Sequence, residues 1–130
     1  THWQPWTISW RASCKEEFTM QIHFDKLETQ VINGMKGGQG EARLQSYSDG
    51  VNKIMKLVLA PGAFLGEHTH VGNSETIYVL SGAGTMLCDG VEEPLTPGVC
   101  HYCAEGHTHK LMNTGTEPLT VFAVVPEHGK

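Results

Sequence analysis

No run of about 18 consecutive apolar residues occurs in this 130-residue chain, and its first residues lack the basic-then-apolar order of a secretory leader. No membrane-spanning helix is therefore expected, and the chain reads as soluble and cytoplasmic. Positive charge is scarce as well: 9 Lys and Arg stand against 14 Asp and Glu, for a formal net charge of -5, and no basic cluster forms. Little here attracts a phosphate backbone or an anionic lipid surface, so neither nucleic acid nor membrane is an expected partner. Cysteine is sparse. Cys14, Cys88, Cys100 and Cys103 are too few for a disulfide scaffold in a chain long enough to bury its own core, and they read as reduced thiols. Long helical periodicity is missing too, which argues against an α-helical fold.

Short runs rich in Val, Ile, Leu, Thr and Tyr are present instead, interrupted by Gly, Pro, Asn and Asp every 8 to 12 residues or so. Strands are expected at 21–24, 42–47, 52–59, 66–70, 76–81, 85–88, 91–95, 99–103, 108–112 and 119–125. Asp89-Gly90 is the clearest turn, since both residues tolerate the positive φ that a two-residue hairpin loop requires. Ten short strands with such turns imply an all-β sandwich or barrel. The glycines between Gly34 and Gly40 are not followed by a helical pattern, so a flexible loop is expected there rather than a phosphate cradle. Residues 1–19 hold all three tryptophans and precede Met20, where the strand-like pattern begins. They form either an upstream or vector-derived extension or an arm that packs on a neighbouring subunit, with one domain spanning 20–130.

The chemistry concentrates in Glu67-His68-Thr69-His70 and, after four residues, Glu75. Histidines at i and i+2 project from the same face of a strand, and a carboxylate opening the next strand can reach the same point. A second His-Thr-His, His107 to His109, offers a fourth donor through either histidine. Three imidazoles and one carboxylate suit one divalent transition metal (Mn, Fe, Co, Ni, Cu or Zn) and leave positions for water, oxygen or substrate.

These residues resemble the cupin superfamily. Gly62, five residues, His68-x-His70, four residues, Glu75, six residues and Gly82 follow its first motif throughout. Gly98, five residues, Ala104-x-Gly106, two residues, His109, three residues and Asn113 follow the second, with Ala104 replacing the usual proline. The resemblance implies an antiparallel jelly-roll barrel (a double-stranded β-helix), commonly a homodimer, with His68, His70, Glu75 and His109 as metal ligands near one open mouth. It also implies either a small metal-dependent enzyme (dioxygenase, decarboxylase/lyase or isomerase) acting on an oxygen-rich metabolite, or a non-catalytic module that binds a sugar or small metabolite.

Other residues carry weaker expectations. Glu75 is a candidate proton shuttle, and His101, in the apolar run 99–103, a candidate acid/base or supporting group if its ring points inward. Arg43 is a candidate for a substrate carboxylate, and Met55, Phe64 and Phe122 are candidate walls of the substrate cavity. Cys100 and Cys103 are three apart on a strand, face opposite sides and are not expected to share an ion.

Overall fold

The computed structural model describes residues 21–130; the expectations for the N-terminal segment 1–19 lie outside these residues. Ten strands follow in order: β1 (Gln30–Asn33), β2 (Glu41–Ser48), β3 (Asn52–Leu59), β4 (His68–Thr69), β5 (Glu75–Ser81), β6 (Gly84–Cys88), β7 (Val91–Leu95), β8 (Cys100–Cys103), β9 (Thr108–Met112) and β10 (Leu119–Pro126). All pairings are antiparallel, in a six-stranded sheet ordered β1-β2-β3-β10-β5-β8 and a four-stranded sheet ordered β4-β9-β6-β7. The strand pattern implies a sandwich or barrel, and the arrangement is the jelly roll that the cupin resemblance implies.

Alternation decides what each strand buries. In β3, Met55, Leu57 and Leu59 turn inward; in β10, Leu119, Val121 and Ala123 do. Leu95, Met86 and Leu111 answer them from the other sheet, and one continuous apolar cluster results. Each Leu, Val or Met among them contributes about 1.5–3 kcal/mol by leaving water.

The same period fixes where chemistry is placed. Ile77 and Val79 are inward positions of β5, so Glu75, two residues earlier, is inward as well. Leu111 does the same for His109 in β9, Met86 for Cys88 in β6, and His101 shares the inner face of β8 with Cys103. Register aligns these polar positions, with Glu75 opposite Cys103 in one sheet and both His68 and Cys88 opposite His109 in the other. One end of an otherwise apolar interior is thereby lined with imidazole, carboxyl and thiol groups.

Asp89 (φ 50) and Gly90 (φ 81) form the expected hairpin turn between β6 and β7. Pro94 is tolerated because β7 is an edge strand. Three expectations differ from the structure. The strand at 21–24 is absent: Phe24–Lys26 form a single 3-10 turn. A strand instead occupies the half-polar Gln30–Asn33, where pairing to β2 supplies the order that a four-residue run alone does not. The glycine-rich segment is no free loop. It packs against 64–66 with Gln39 bridged to Phe64, and a Cβ on Gly38 would come within 2.0 Å of the Phe64 carbonyl oxygen. Gly66 is crowded in the same way, 1.9 Å from the Lys36 carbonyl oxygen. Glycine is required at both because two backbones touch there.

Candidate metal centre

His68 lies beside His109 in the β4–β9 ladder, and His70 follows immediately, held by its amide donating to the His107 carbonyl at 3.1 Å. Their side chains converge with Glu75. His109 Nε2 is 3.1 Å from His68 Nε2, 3.0 Å from His70 Nε2 and 3.1 Å from Glu75 Oε1, and His70 Nε2 is 3.2 Å from the same oxygen. His109 is 1% exposed and Glu75 9%.

The other nitrogen of each ring is already committed. His68 Nδ1–H donates to the Gly66 carbonyl at 2.8 Å, and His70 Nδ1–H donates to Asn73 Oδ1 at 2.7 Å. Asn73 is oriented in turn by donating its amide to Glu127 Oε2 at 2.9 Å. His109 Nδ1–H donates to His101 Nε2 at 3.1 Å, which leaves the His101 Nδ1–H facing Glu93 Oε1 at 3.5 Å. A neutral imidazole carries one proton, so all three Nε2 atoms present lone pairs to one another and to a carboxylate. That arrangement is repulsive by itself, and a cation among the four atoms satisfies it. The spacing agrees: donors about 2.1 Å from one ion and at right angles lie about 3.0 Å apart. Three nitrogens and one oxygen, all within 4.8 Å of one another, form a cluster that fits a divalent transition metal.

Electrostatics favour the same occupant. In the metal-free chain burial works to raise the Glu75 carboxyl, but Nε2 of His109 and of His70, when it carries a proton, donates to Glu75, outweighs burial and holds the group at about 2; a bound cation would take the place of that proton. Glu75 is thus an anion at neutral pH in the metal-free chain and a source of negative charge for the centre. Burial lowers the pKa of His68, keeping its ring neutral and its lone pair free. His70 is shifted upward, chiefly by its hydrogen bond to Glu75. Burial also lowers His101, which stands behind His109 and positions that ring rather than facing the cavity.

The cluster opens onto a cavity of about 530 Å³ between the two sheets. Met55 lines it, as the sequence suggests, together with Leu57, Val121 and Ala123. The structure does not bring the other candidates there. Arg43 points outward, its side chain 54% exposed and paired with Glu41 at 2.8 Å, because the inward positions of β2 belong to Ala42 and Leu44. Phe122 alternates outward between Val121 and Ala123 and meets Phe24 edge-on at 6.2 Å. Phe64 lies outside the cavity beneath the Lys110 ammonium, 4.3 Å from its ring centre. His107 is drawn to Asp89 at the surface. Asn113 is structural, its amide donating to the carbonyls of Leu59 and Glu117, each at 2.9 Å.

Two features escape the sequence. Lys36 lines the cavity and its charge acts on His68 and His70, although it sits in the glycine-rich segment. Its backbone is left-handed (φ 58), an unfavourable state for lysine that the packed segment enforces. Cys103 faces inward while Cys100 is exposed, as strand alternation requires, but Cys103 has an unforeseen neighbour in Cys88 from the opposite sheet. Burial pushes the Cys103 thiol up to about 12 and raises Cys88 as well.

Residues 55–125 match the family model described as "Cupin domain". The oxalate-binding protein of Thermotoga maritima is 32% identical to this chain over 117 residues, spanning 85% of this chain and 97% of that protein. Among solved structures, a predicted oxalate decarboxylase from Thermotoga maritima superposes with a TM-score of 0.78 at 26% identity, covering 83% of this chain and 99% of the other. A sugar phosphate isomerase from Silicibacter pomeroyi gives a TM-score of 0.70 at 21% identity, covering 82% of this chain and 75% of that one, a likeness of fold alone.

Proposed function

The chain belongs to the cupin family, and from that premise we propose that His68, His70, Glu75 and His109 hold one divalent transition-metal ion that presents a small carboxylate of the oxalate type to the cavity. The convergence of three Nε2 atoms and one carboxylate oxygen at 3.0–3.2 Å carries this reading. Likeness to an oxalate-binding protein supports the class of ligand. When bound, the ion supplies Lewis acidity and a chelation point for two oxygens.

The remaining work belongs to the chain. Glu75 contributes one negative charge, so a divalent ion with three neutral imidazoles keeps a net positive charge that attracts an anion. Lys36 adds a second positive charge at the cavity wall. Met55, Leu57, Val121 and Ala123 form an apolar wall that excludes water and strengthens both attractions. The chains His68–Gly66, His70–Asn73–Glu127 and His109–His101–Glu93 hold each ring in the tautomer that binding needs.

Two activities are compatible with such a site. In a decarboxylase, the C–C bond of the oxalate monoanion breaks to release CO2, and the monoanion's own acid proton ends on the remaining carbon to give formate. In a binding module, the anion is held unchanged; likeness to a protein named for oxalate binding favours this second reading. Elemental analysis of protein purified without a metal-binding tag, followed by calorimetric titration with oxalate, tests the site. One metal per chain and oxalate binding that disappears on chelation and in His70→Ala are expected. Binding that persists in both would sink the reading. Formate production then separates catalyst from carrier.

A further inference from the structure

Beyond the cluster already described, the interior holds a second group of metal-ligating side chains that the proposed function does not use. Cys88, His101 and Cys103 each offer a donor atom, and these lie within 4.8 Å of one another. The two thiols come from different sheets, Cys88 on β6 and Cys103 on β8, and are in hydrogen-bonding contact. Cys103 and His101 are buried, and Cys88 is half-buried. Glu93 stands 3.5 Å from His101 Nδ1 and is 55% exposed.

We propose that Cys88, His101 and Cys103 form a second metal site, selective for a thiophilic ion such as Zn2+ or Cu+, and that filling it weakens the histidine-carboxylate centre next to it. Soft sulfur donors discriminate against Mn2+ and Mg2+ and favour Zn2+ and Cu+. Binding Zn2+ displaces one proton from each thiol to solvent. The product, a dication with two thiolates and a neutral imidazole, carries no net charge, which suits its buried position.

The coupling follows from the one hydrogen bond that the two clusters share, and this half of the proposal rests on His109 being a ligand of the first centre. His109 keeps Nε2 free only while its Nδ1–H has His101 Nε2 as acceptor. If an ion takes His101 Nε2, that acceptor is lost. If it takes His101 Nδ1, the ring proton moves to Nε2 and confronts the His109 Nδ1–H, a clash relieved only by moving the His109 proton onto its own donor atom. Either choice of nitrogen disfavours metal at His109. By reciprocity, metal at the first centre weakens the thiol site by the same factor.

The test uses the full chain, metal-stripped and kept reduced with a phosphine, titrated with Co2+ as a spectroscopic stand-in for Zn2+. A near-ultraviolet thiolate-to-cobalt charge-transfer band is expected. It is expected to vanish on adding Zn2+ and to be absent in Cys88→Ala and in Cys103→Ala, with circular dichroism reporting the fold of each. Cys88 is half-buried, so its variant remains informative if loss of the buried Cys103 harms folding. No band in the wild type, or a band that survives in folded Cys88→Ala, overturns the site. In His68→Ala, which weakens the first centre, the band is expected at a Co2+ concentration about fivefold lower or less. An unchanged midpoint, with the band present, overturns the coupling while leaving the thiol site standing.

Discussion

His101 stacks on His109, ring centres 5.2 Å apart and planes 24° from parallel, with Nε2 of one ring 3.1 Å from Nδ1 of the other. The pair converts a buried histidine with no view of the cavity into the group that decides which nitrogen of His109 is free.

Replacing His101 by Ala therefore costs the metal centre more than it costs the fold. Metal affinity is expected to fall about 10- to 100-fold, the usual effect of removing the partner of a ligating histidine. Stability of the metal-free protein falls by about 1–3 kcal/mol for the buried His109 N–H left unpaired. Competition against a chelator of known affinity measures the first quantity and thermal denaturation the second; unaltered metal affinity would remove His101 from its positioning role.

Acid should act on the metal-free protein through Glu75. Burial opposes ionisation, yet the His109 and His70 hydrogen bonds lower this carboxyl from 4.5 to about 2. A depressed carboxyl stabilises the fold fully above its unfolded value, and that contribution is lost as pH falls from 4.5 toward 2. Its size is about 3 kcal/mol at neutral pH. Melting temperatures of stripped wild type and Glu75→Gln across that interval should converge as the pH drops. Parallel curves would contradict the assignment.

Much of this centre is legible before any coordinates, because strand period and motif spacing are local properties. Glu75 and His109 point inward for the same reason as Ile77 and Leu111 two residues on, whereas Phe122, expected at the cavity wall, turns outward because the inward positions of its strand are Val121 and Ala123. What cannot be read is what depends on two distant backbones meeting. The pairing of Cys88 with Cys103 arises from the stacking of two sheets, and the place of Lys36 from contact between Gly38, Gly66 and their neighbours. The short strand Gln30–Asn33 is hidden similarly, since its order comes from β2 rather than from its own residues.

Lys36→Ala is expected to weaken oxalate binding about fivefold, consistent with about 1 kcal/mol from a partly solvated charge, at unchanged metal content. Arg43→Ala is the contrast, because its guanidinium is spent on Glu41 outside the barrel. Calorimetric titration of both variants decides between them; equal losses would remove Lys36 from the site.

Gly66→Ala tests how Lys36 is placed. A methyl group there would lie 1.9 Å from the Lys36 carbonyl oxygen, so one of the two segments must move. Overpacking of this kind costs about 1–3 kcal/mol, a fall in Tm of roughly 5–15 °C. Oxalate affinity is expected to drop with it, and Lys36→Ala added to Gly66→Ala to lower it no further. Additive losses in the double variant would show that the glycine does not act through the lysine.

His68 and His109 belong to the four-stranded sheet and Glu75 to the six-stranded one, so any cation they share works as a hasp across the rim of the sandwich. An ion held there would tie two layers that, among the described residues, share no backbone hydrogen bond at this rim, and so would add a cross-sheet fastening that the apolar cluster alone does not supply.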